Sequence, residues 1–440
     1  MKTEDVNIAL LKPYPKNSRV HSRKQIRQIA KSIEKFGFVN PVLTDDTYQI
    51  IAGHGRYEAA KQLGMDTVPT IRLSHLSPAE VRAYVIADNR LAERAGWDRE
   101  MLRTELQGLV ALDFDVEITG FEAPEIDFML DEAREALDES SPEDHVPTRS
   151  VGPSISSPGD VWVLGKHRLL CGDAREKPSY ELLMLGHKAA FVIADAPYNV
   201  RIANFVSGNG RIVHDEFKMA SGEMSEDEFV AFLKDTFVRL KENTTDGSIH
   251  MIFMDWRHQL EMMLAGRHVY SELKNVCIWN KSVGGMGSLY RSKHEFVFVF
   301  KVGDAPHLNT FGLGDTGRYR TNVWDYPGVN SPHVGRASEL EMHPTVKPVA
   351  LVKDAILDCS RRGAIVLDMF GGSGTTLIAA ERTGRTARLI EFDPHYCDVI
   401  VRRYEELTGR SGRLEATEQE FATVADDVVA RQRSEEPSDA

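Results

Sequence analysis

With 440 residues, 42% of them hydrophobic and 27% charged, the chain is long enough for two or three globular domains at roughly 100–200 residues each. It has no apolar run near the roughly 18–20 residues of a membrane helix, no signal-peptide core after Met1, and four cysteines without a CxxC pair, so a cytoplasmic protein with no membrane partner and no metal site is expected. The net charge of −13 is concentrated in residues 101–150, with 3 basic and 14 acidic side chains, and in 411–440, with 3 and 8, so it does not exclude a nucleic-acid partner for the rest.

Taken in chain order, Ile26, Ile29, Ala30, Ile33 and Phe36 recur at helical spacing. Residues 38–43 and 48–52 read as strands, and a helix from Arg56 to Leu63 follows Gly53. Residues 75–110 read as helical, opened by the Ser77-Pro78-Ala79-Glu80 cap. Residues 1–100 therefore predict a compact α/β domain, and 101–160 a helical extension that runs into an acidic, then Ser- and Pro-rich, linker. From 161 to 410 strands and helices alternate, with the clearest strands at 189–194, 248–254, 295–301, 364–369 and 387–392. That alternation predicts a mostly parallel, doubly wound sheet. The remainder, 411–440, reads as an acidic tail, loosely helical or disordered.

Two segments of the larger part carry chemistry. In Phe191-Val192-Ile193-Ala194-Asp195-Ala196-Pro197-Tyr198 an apolar strand delivers a carboxylate, a proline and an aromatic ring at its carboxyl end, the edge where such sheets bind ligands. A carboxylate and a backbone carbonyl accepting both N–H bonds of a base amino group would favour its nucleophilic form, and the Tyr198 ring, rather than its hydroxyl, would stack on an extruded base. In Val366-Leu367-Asp368-Met369-Phe370-Gly371-Gly372-Ser373-Gly374-Thr375 a strand ends in glycines and continues as a helix, with Glu391 closing the next strand about 20 residues on. A dinucleotide loop would need a third glycine, and a phosphate loop a lysine. A nucleoside ligand without phosphate fits best, and S-adenosyl-L-methionine is the common one.

These motifs identify a resemblance. Residues 160–410 resemble the amino-methyltransferases of DNA, with Asp195-Ala196-Pro197-Tyr198 at their DPPY motif and Phe370-Gly371-Gly372-Ser373-Gly374 at their FxGxG motif. The catalytic motif comes first, as in the permuted β class. His343-Pro344-Thr345-Val346-Lys347-Pro348 is similar to the family segment near the methionine part of the cofactor, and Cys171-Gly172-Asp173 to an upstream Gly-Asp near its adenine. Ala196 departs from the family, which usually has proline there. The resemblance implies a Rossmann-like α/β methyltransferase sheet using S-adenosyl-L-methionine, with Asp195, Ala196, Pro197 and Tyr198 catalytic. It implies Asp173, Lys347, Asp368, Phe370, Gly371, Gly372, Gly374, Thr375, Glu391 and Asp393 as cofactor-binding. Asp at 195 is the family's commoner choice for adenine N6. N4-cytosine methylation and a DNA-binding regulator carrying a decayed methyltransferase stay open as alternatives.

Double-stranded DNA is the expected partner, with a homodimer left open. Arg291 and Lys293, beside a glycine-rich stretch, and Arg318, Arg320 and Arg336, in a candidate target-recognition insert at 302–342, are the candidate DNA contacts. In the first domain, Ile51-Ala52-Gly53-His54-Gly55-Arg56 resembles the ParB/sulfiredoxin-like nuclease fold. That likeness implies a smaller ParB-like α/β domain, read first as a DNA-docking module without catalysis and alternatively as one in which Gly53, Gly55 and Arg56 face a nucleotide phosphate.

Overall fold

In the computed structural model, residues 2–17, 19–94, 97–112, 114–121, 125–126, 129, 142–147, 152–199, 222–281, 289–310, 320–328 and 346–435 are described. The chain divides into two compact units, Met1–Leu137 and Asp138–Ala440.

The first unit is built on a four-stranded sheet of β1 (Thr3–Asn7), β2 (Val42–Thr44), β3 (Ile50–Ala52) and β4 (Thr67–Arg72), in the order β1-β4-β2-β3. Helix α1 (Arg23–Phe36) starts where the Ser22 hydroxyl accepts the Gln25 N–H at 3.1 Å, and ends at Gly37 with φ +78°. Helices α2 (His54–Gln62) and α3 (Pro78–Arg94) follow, the second opened by Ser77 and Glu80, whose carboxylate takes the Ser77 N–H at 2.8 Å. Val6, Leu11, Val42, Ile50, Tyr57, Ala60 and Val68 form its core. After α4 (Arg99–Ala111), Leu106, Val116 and Ile126 make a separate small cluster.

The second unit carries a ten-stranded sheet ordered β11-β9-β10-β8-β7-β12-β13-β6-β5-β14. Its strands are β5 (Val161–Leu164), β6 (His167–Cys171), β7 (Ala189–Asp195), β8 (Thr244–Met254), β9 (Glu272–Asn280), β10 (His294–Lys301), β11 (Val323–Asp325), β12 (Ile365–Asp368), β13 (Thr386–Glu391) and β14 (Arg413–Leu414). The centre, β8-β7-β12-β13-β6, is parallel, while β10, β5 and β14 pair antiparallel. Because both faces of β7 are covered, its apolar residues run without alternation, as the sequence shows. Helices α5 (Lys177–Met184), α6 (Glu226–Glu242), α7 (Gln259–Val269), α8 (Val349–Cys359), α9 (Thr375–Arg382) and α10 (Pro394–Thr408) complete the alternation. Two apolar layers result, one around Phe191, Phe253, Leu389 and Ile400, the other around Val192, Phe229, Phe237 and Leu367.

One expectation is narrowed here and one corrected. Of the two readings of the acidic tail, the helical one holds for α11 (Phe421–Glu435), while β14 adds to the sheet edge and Phe421 packs edge-on to Trp162 at 5.1 Å between ring centroids. Phe421 buries its ring in the apolar cluster with Trp162 and Leu414, although the segment around it is mostly polar, so composition alone hid it. The expected tether is likewise docked where it is described. The Asp398 carboxylate accepts the N–H groups of Ile155 and Ser156 at 2.8 Å, Asp144 accepts the Val349 N–H at 2.8 Å, and Val146 packs with Val346 and Val399. Residues 131–141 lie outside the described residues. No helix among the described residues is long and apolar enough to cross a membrane.

Candidate active site

β7 and β12 are neighbours and parallel, so Asp195 and Asp368 end at the same edge, together with Glu391 of β13. The turn from β12 into α9 explains the glycines. Gly372 and Gly374 have φ of +52° and +84°, the left-handed region that favours glycine. A Cβ at Gly374 would meet Ile400 at 3.1 Å, whereas one at Gly372 would meet nothing nearer than the Phe370 carbonyl at 3.8 Å. Gly374 is thus required by packing, and Gly372 opens on free space. At Gly371 a Cβ would press on Ile400 at 3.1 Å and the Ile390 carbonyl at 3.4 Å.

Two buried carboxyls frame this turn. Glu391 accepts the N–H groups of Gly372 at 2.7 Å and Asp393 at 2.8 Å. Asp368 accepts from the Phe370 N–H at 3.0 Å and the Thr376 hydroxyl at 2.6 Å. Burial outweighs these bonds and pushes both carboxyls up to about 7. Unfolded, they would release their protons near 4 to 4.5. The folded chain therefore binds more protons than the unfolded one across roughly pH 4.5–7, and the stability these groups contribute is full below about pH 4 and lost as pH rises through 7. Chemical denaturation of the cofactor-free protein from pH 5 to 8 should show this decline, and Asp368→Asn should flatten it. An unchanged slope in the variant would remove Asp368 as its source.

Asp195 sits in a dense polar cluster. Its Oδ1 accepts the Tyr198 hydroxyl at 2.8 Å, and its Oδ2 pairs with the Lys347 ammonium. Tyr198 Oη also lies 2.8 Å from Glu295 Oε2. Burial raises the Asp195 carboxyl, Lys347 opposes that and Glu295 adds to it. Lys347 is expected from the sequence beside the cofactor; the structure places its ammonium on Asp195, on Glu295 at 3.2 Å and near Tyr198 at 3.3 Å, while its carbonyl accepts the Thr375 hydroxyl at 3.3 Å. One residue thus joins the Asp195 cluster to the glycine turn. The Tyr198 hydroxyl, given no role from the sequence, is engaged by both carboxylates. Ala196 is buried and Pro197 half-buried. Beyond them Asn199, at φ +49°, accepts the Gly222 N–H at 3.0 Å and donates to the Met224 carbonyl at 2.8 Å.

Glu295 is the residue that sequence reasoning passed over. It starts the strand expected at 295–301, just after the candidate DNA contacts Arg291 and Lys293, yet it points inward and also binds Lys281. The apolar run of β10 after it was the available signal: a carboxylate opening a buried strand needs partners. Of the remaining expected residues, Asp173 is held by Arg175, with Oδ2 at 2.6 Å from Nη2, and Asp393 caps α10 by accepting the His395 N–H at 3.0 Å. Phe370 is half-buried against Phe232, and Phe392, after Glu391, is 42% exposed.

Among the expected DNA contacts, Arg291 and Lys293 are exposed, and Arg318 and Arg336 lie outside the described residues. Arg320 is a correction. Its guanidinium is bound to Asp358 at 3.0 Å, Asp354 at 3.1 Å and the Tyr326 hydroxyl at 2.9 Å, tying the β11 edge to α8. Its side chain is only 15% exposed, because the two aspartates one helical turn apart on α8 claim it. Arg320→Ala removes the buried cation that these two carboxylates share, and should destabilise the fold by about 3 kcal/mol in denaturant titration. DNA affinity should stay unchanged; a fall in affinity without loss of stability would contradict this placement.

In the first unit, Gly53 has φ +95° and opens α2, and a Cβ there would meet the Arg56 guanidinium at 2.9 Å. A Cβ at Gly55 would meet Ile29 at 2.9 Å and His21 at 3.2 Å. Arg56 reaches the Pro41 carbonyl at 3.3 Å, so the three residues share one turn. Among the described residues no group of three or more His, Cys, Asp or Glu could hold a metal ion.

Residues 189–402 match the DNA methylase family of the N6/N4 type, residues 2–90 the ParB N-terminal domain, and residues 100–158 the ParB-methyltransferase HTH domain, a module the sequence reading did not separate from the linker. The ParB-like nuclease domain-containing protein YnaK of Escherichia coli (strain K12) is 54% identical over 67 residues, 15% of this chain and 77% of that protein. DNA adenine methyltransferase YhdJ of Escherichia coli (strain K12) is 44% identical over 84 residues, 19% of this chain and 27% of that protein. Type II methyltransferase M.ScaI of Streptomyces caespitosus is 37% identical over 89 residues, 20% of this chain and 29% of that protein. The chain thus spans less than a third of either methyltransferase. The crystal structure of the M1.HpyAVI-SAM complex is 20% identical, with a TM-score of 0.40, over 53% of this chain and 97% of that one.

Proposed function

This chain belongs to the DNA methylases of the N6/N4 type, with a ParB N-terminal domain ahead of the methylase, and we propose that it methylates adenine N6 in double-stranded DNA. The observation that carries the reading is the meeting, at one sheet edge, of the Asp195–Tyr198 turn with the Gly371–Gly374 turn and Glu391.

S-adenosyl-L-methionine supplies an electrophilic methyl group on a sulfonium. The residues present suit it. The free space at Gly372 admits a ligand close to the backbone, the Glu391 carboxyl at the strand end suits ribose hydroxyls, and the bare Phe392 ring suits an adenine face. Asp195 and the Ala196 carbonyl accept the two N–H bonds of the target amino group, which localises the lone pair on nitrogen. Tyr198 stacks on the extruded base, and Pro197 stiffens the turn between them. The ring matters because extrusion forfeits stacking in the duplex, and base–aromatic stacking returns about 1–3 kcal/mol.

Asp at position 195 and the adenine methyltransferase YhdJ among the relatives support adenine over cytosine. Arg291 and Lys293 would contact the phosphate backbone, and the Gly53–Arg56 turn a nucleotide phosphate. The test is incubation of the protein with duplex DNA and isotope-labelled S-adenosyl-L-methionine, followed by mass spectrometry of the nucleosides. N6-methyladenine is expected. N4-methylcytosine would redirect the specificity, and no methylated nucleoside would overturn the reading.

A further inference from the structure

Asp195 and Tyr198 have a task in the reading above, but a second carboxylate is buried against them without one. Glu295 opens β10 at 7% exposure. Its Oε2 lies 2.8 Å from the Tyr198 hydroxyl and 3.2 Å from Lys347 Nζ, and its Oε1 pairs with Lys281. Burial acts to raise its pKa, yet the ammoniums of Lys347 and Lys281 hold it down to about 2, so it stays an anion at working pH. Two carboxylates and two ammoniums balance the cluster.

The hydrogen-bond count makes Glu295 more than a counter-ion. The Tyr198 phenol has one proton and faces carboxylate oxygens of Asp195 and Glu295, both at 2.8 Å, so it can donate to only one at a time. Lys347 has three N–H bonds and three acceptors, Asp195 Oδ2, Glu295 Oε2 and Tyr198 Oη. Glu295 therefore competes with Asp195 for both of its donors. Deleting it would leave Asp195, among the described residues, as the sole anion for Lys347 and the sole acceptor for the phenol, and the Tyr198 hydroxyl would lose its contact from β10.

We infer that Glu295 is a positioning residue for methyl transfer, sharing the Tyr198 hydroxyl and the Lys347 ammonium with Asp195 so that Asp195 keeps acceptor capacity for the target amino group. The inference rests on the methyltransferase reading. It assigns Glu295 no contact with the base or the methyl donor.

The experiment is single-turnover methylation of saturating duplex by the full chain, as a function of pH, with Glu295→Gln and Glu295→Asp beside wild type. A misplaced acceptor lowers rates by roughly 10- to 100-fold, and that is the loss expected in the rate constant for Glu295→Gln. The dissociation constant for S-adenosyl-L-methionine, by calorimetry, should stay within about twofold. The charged and titratable groups facing Asp195 are Lys347, Glu295, Tyr198 and Asp368. Of these, Glu295 acts to keep its carboxyl protonated, so Glu295→Gln should move the acid limb of the rate profile to lower pH. Glu295→Asp keeps the charge, so it should lose rate without moving that limb. A wild-type rate and limb in Glu295→Gln would overturn the inference. Should Glu295→Gln fail to fold, an unchanged rate in Glu295→Asp would overturn it equally. An inactive wild type would instead overturn the methyltransferase reading itself.

Discussion

Asp195→Ala should lower single-turnover methylation by about three orders of magnitude, the scale at which loss of one oriented electrostatic partner is felt in a closed site. The affinity for S-adenosyl-L-methionine should stay within about twofold, because in the proposed arrangement Asp195 faces the base. The cluster around it can survive the change. Lys347 keeps Glu295 as a counter-ion at 3.2 Å, and the Tyr198 hydroxyl keeps Glu295 as an acceptor at 2.8 Å. Circular dichroism and calorimetry with the cofactor would establish that the variant is folded and loaded. Turnover near the wild-type rate would refute the role given to Asp195.

The second large effect is expected at Gly372. Valine there places a branched side chain in the open space beside the β12–α9 turn, where a Cβ meets nothing nearer than 3.8 Å. It also demands a left-handed backbone at φ +52° from a β-branched residue, at a cost of about 1–2 kcal/mol. Gly363→Val separates the two contributions. Gly363 has φ +78°, has no atom within 4 Å of its would-be Cβ, and lies in the surface turn before β12. Both variants should lose comparable stability. Only Gly372→Val should lose cofactor binding, by roughly 100-fold or about 3 kcal/mol on the standard conversion. Retention of wild-type affinity in Gly372→Val would place the ligand elsewhere.

Much of the arrangement was legible locally. A strand buried on both faces must be apolar throughout, so 189–194 and 364–369 were visible as runs and appear as β7 and β12. Gly374 does its work within a few residues of itself, by adopting φ +84° where the strand turns into the helix, so residue type and spacing made that turn legible, whereas the cap that Asp393 makes on the next helix was not read from the sequence. Strand ends in a parallel sheet share one edge, and that rule places Asp195 and Glu391 together.

What the sequence by itself determined was therefore the set of strand ends and turns, whose chemistry depends on neighbours along the chain. Only the tertiary structure decided the partners of the charges. Glu295 lies 97 residues from Tyr198, and Lys347 lies 152 from Asp195, yet antiparallel pairing of β10 with β8 and the approach to α8 bring all four together. The same holds for Arg320, an exposed-looking cation in an irregular stretch until Asp354 and Asp358 of α8 claim it. Which opposite charge a buried side chain finds is set by register and packing across the whole sheet, because desolvation penalises any unpaired ion whatever its sequence neighbours are.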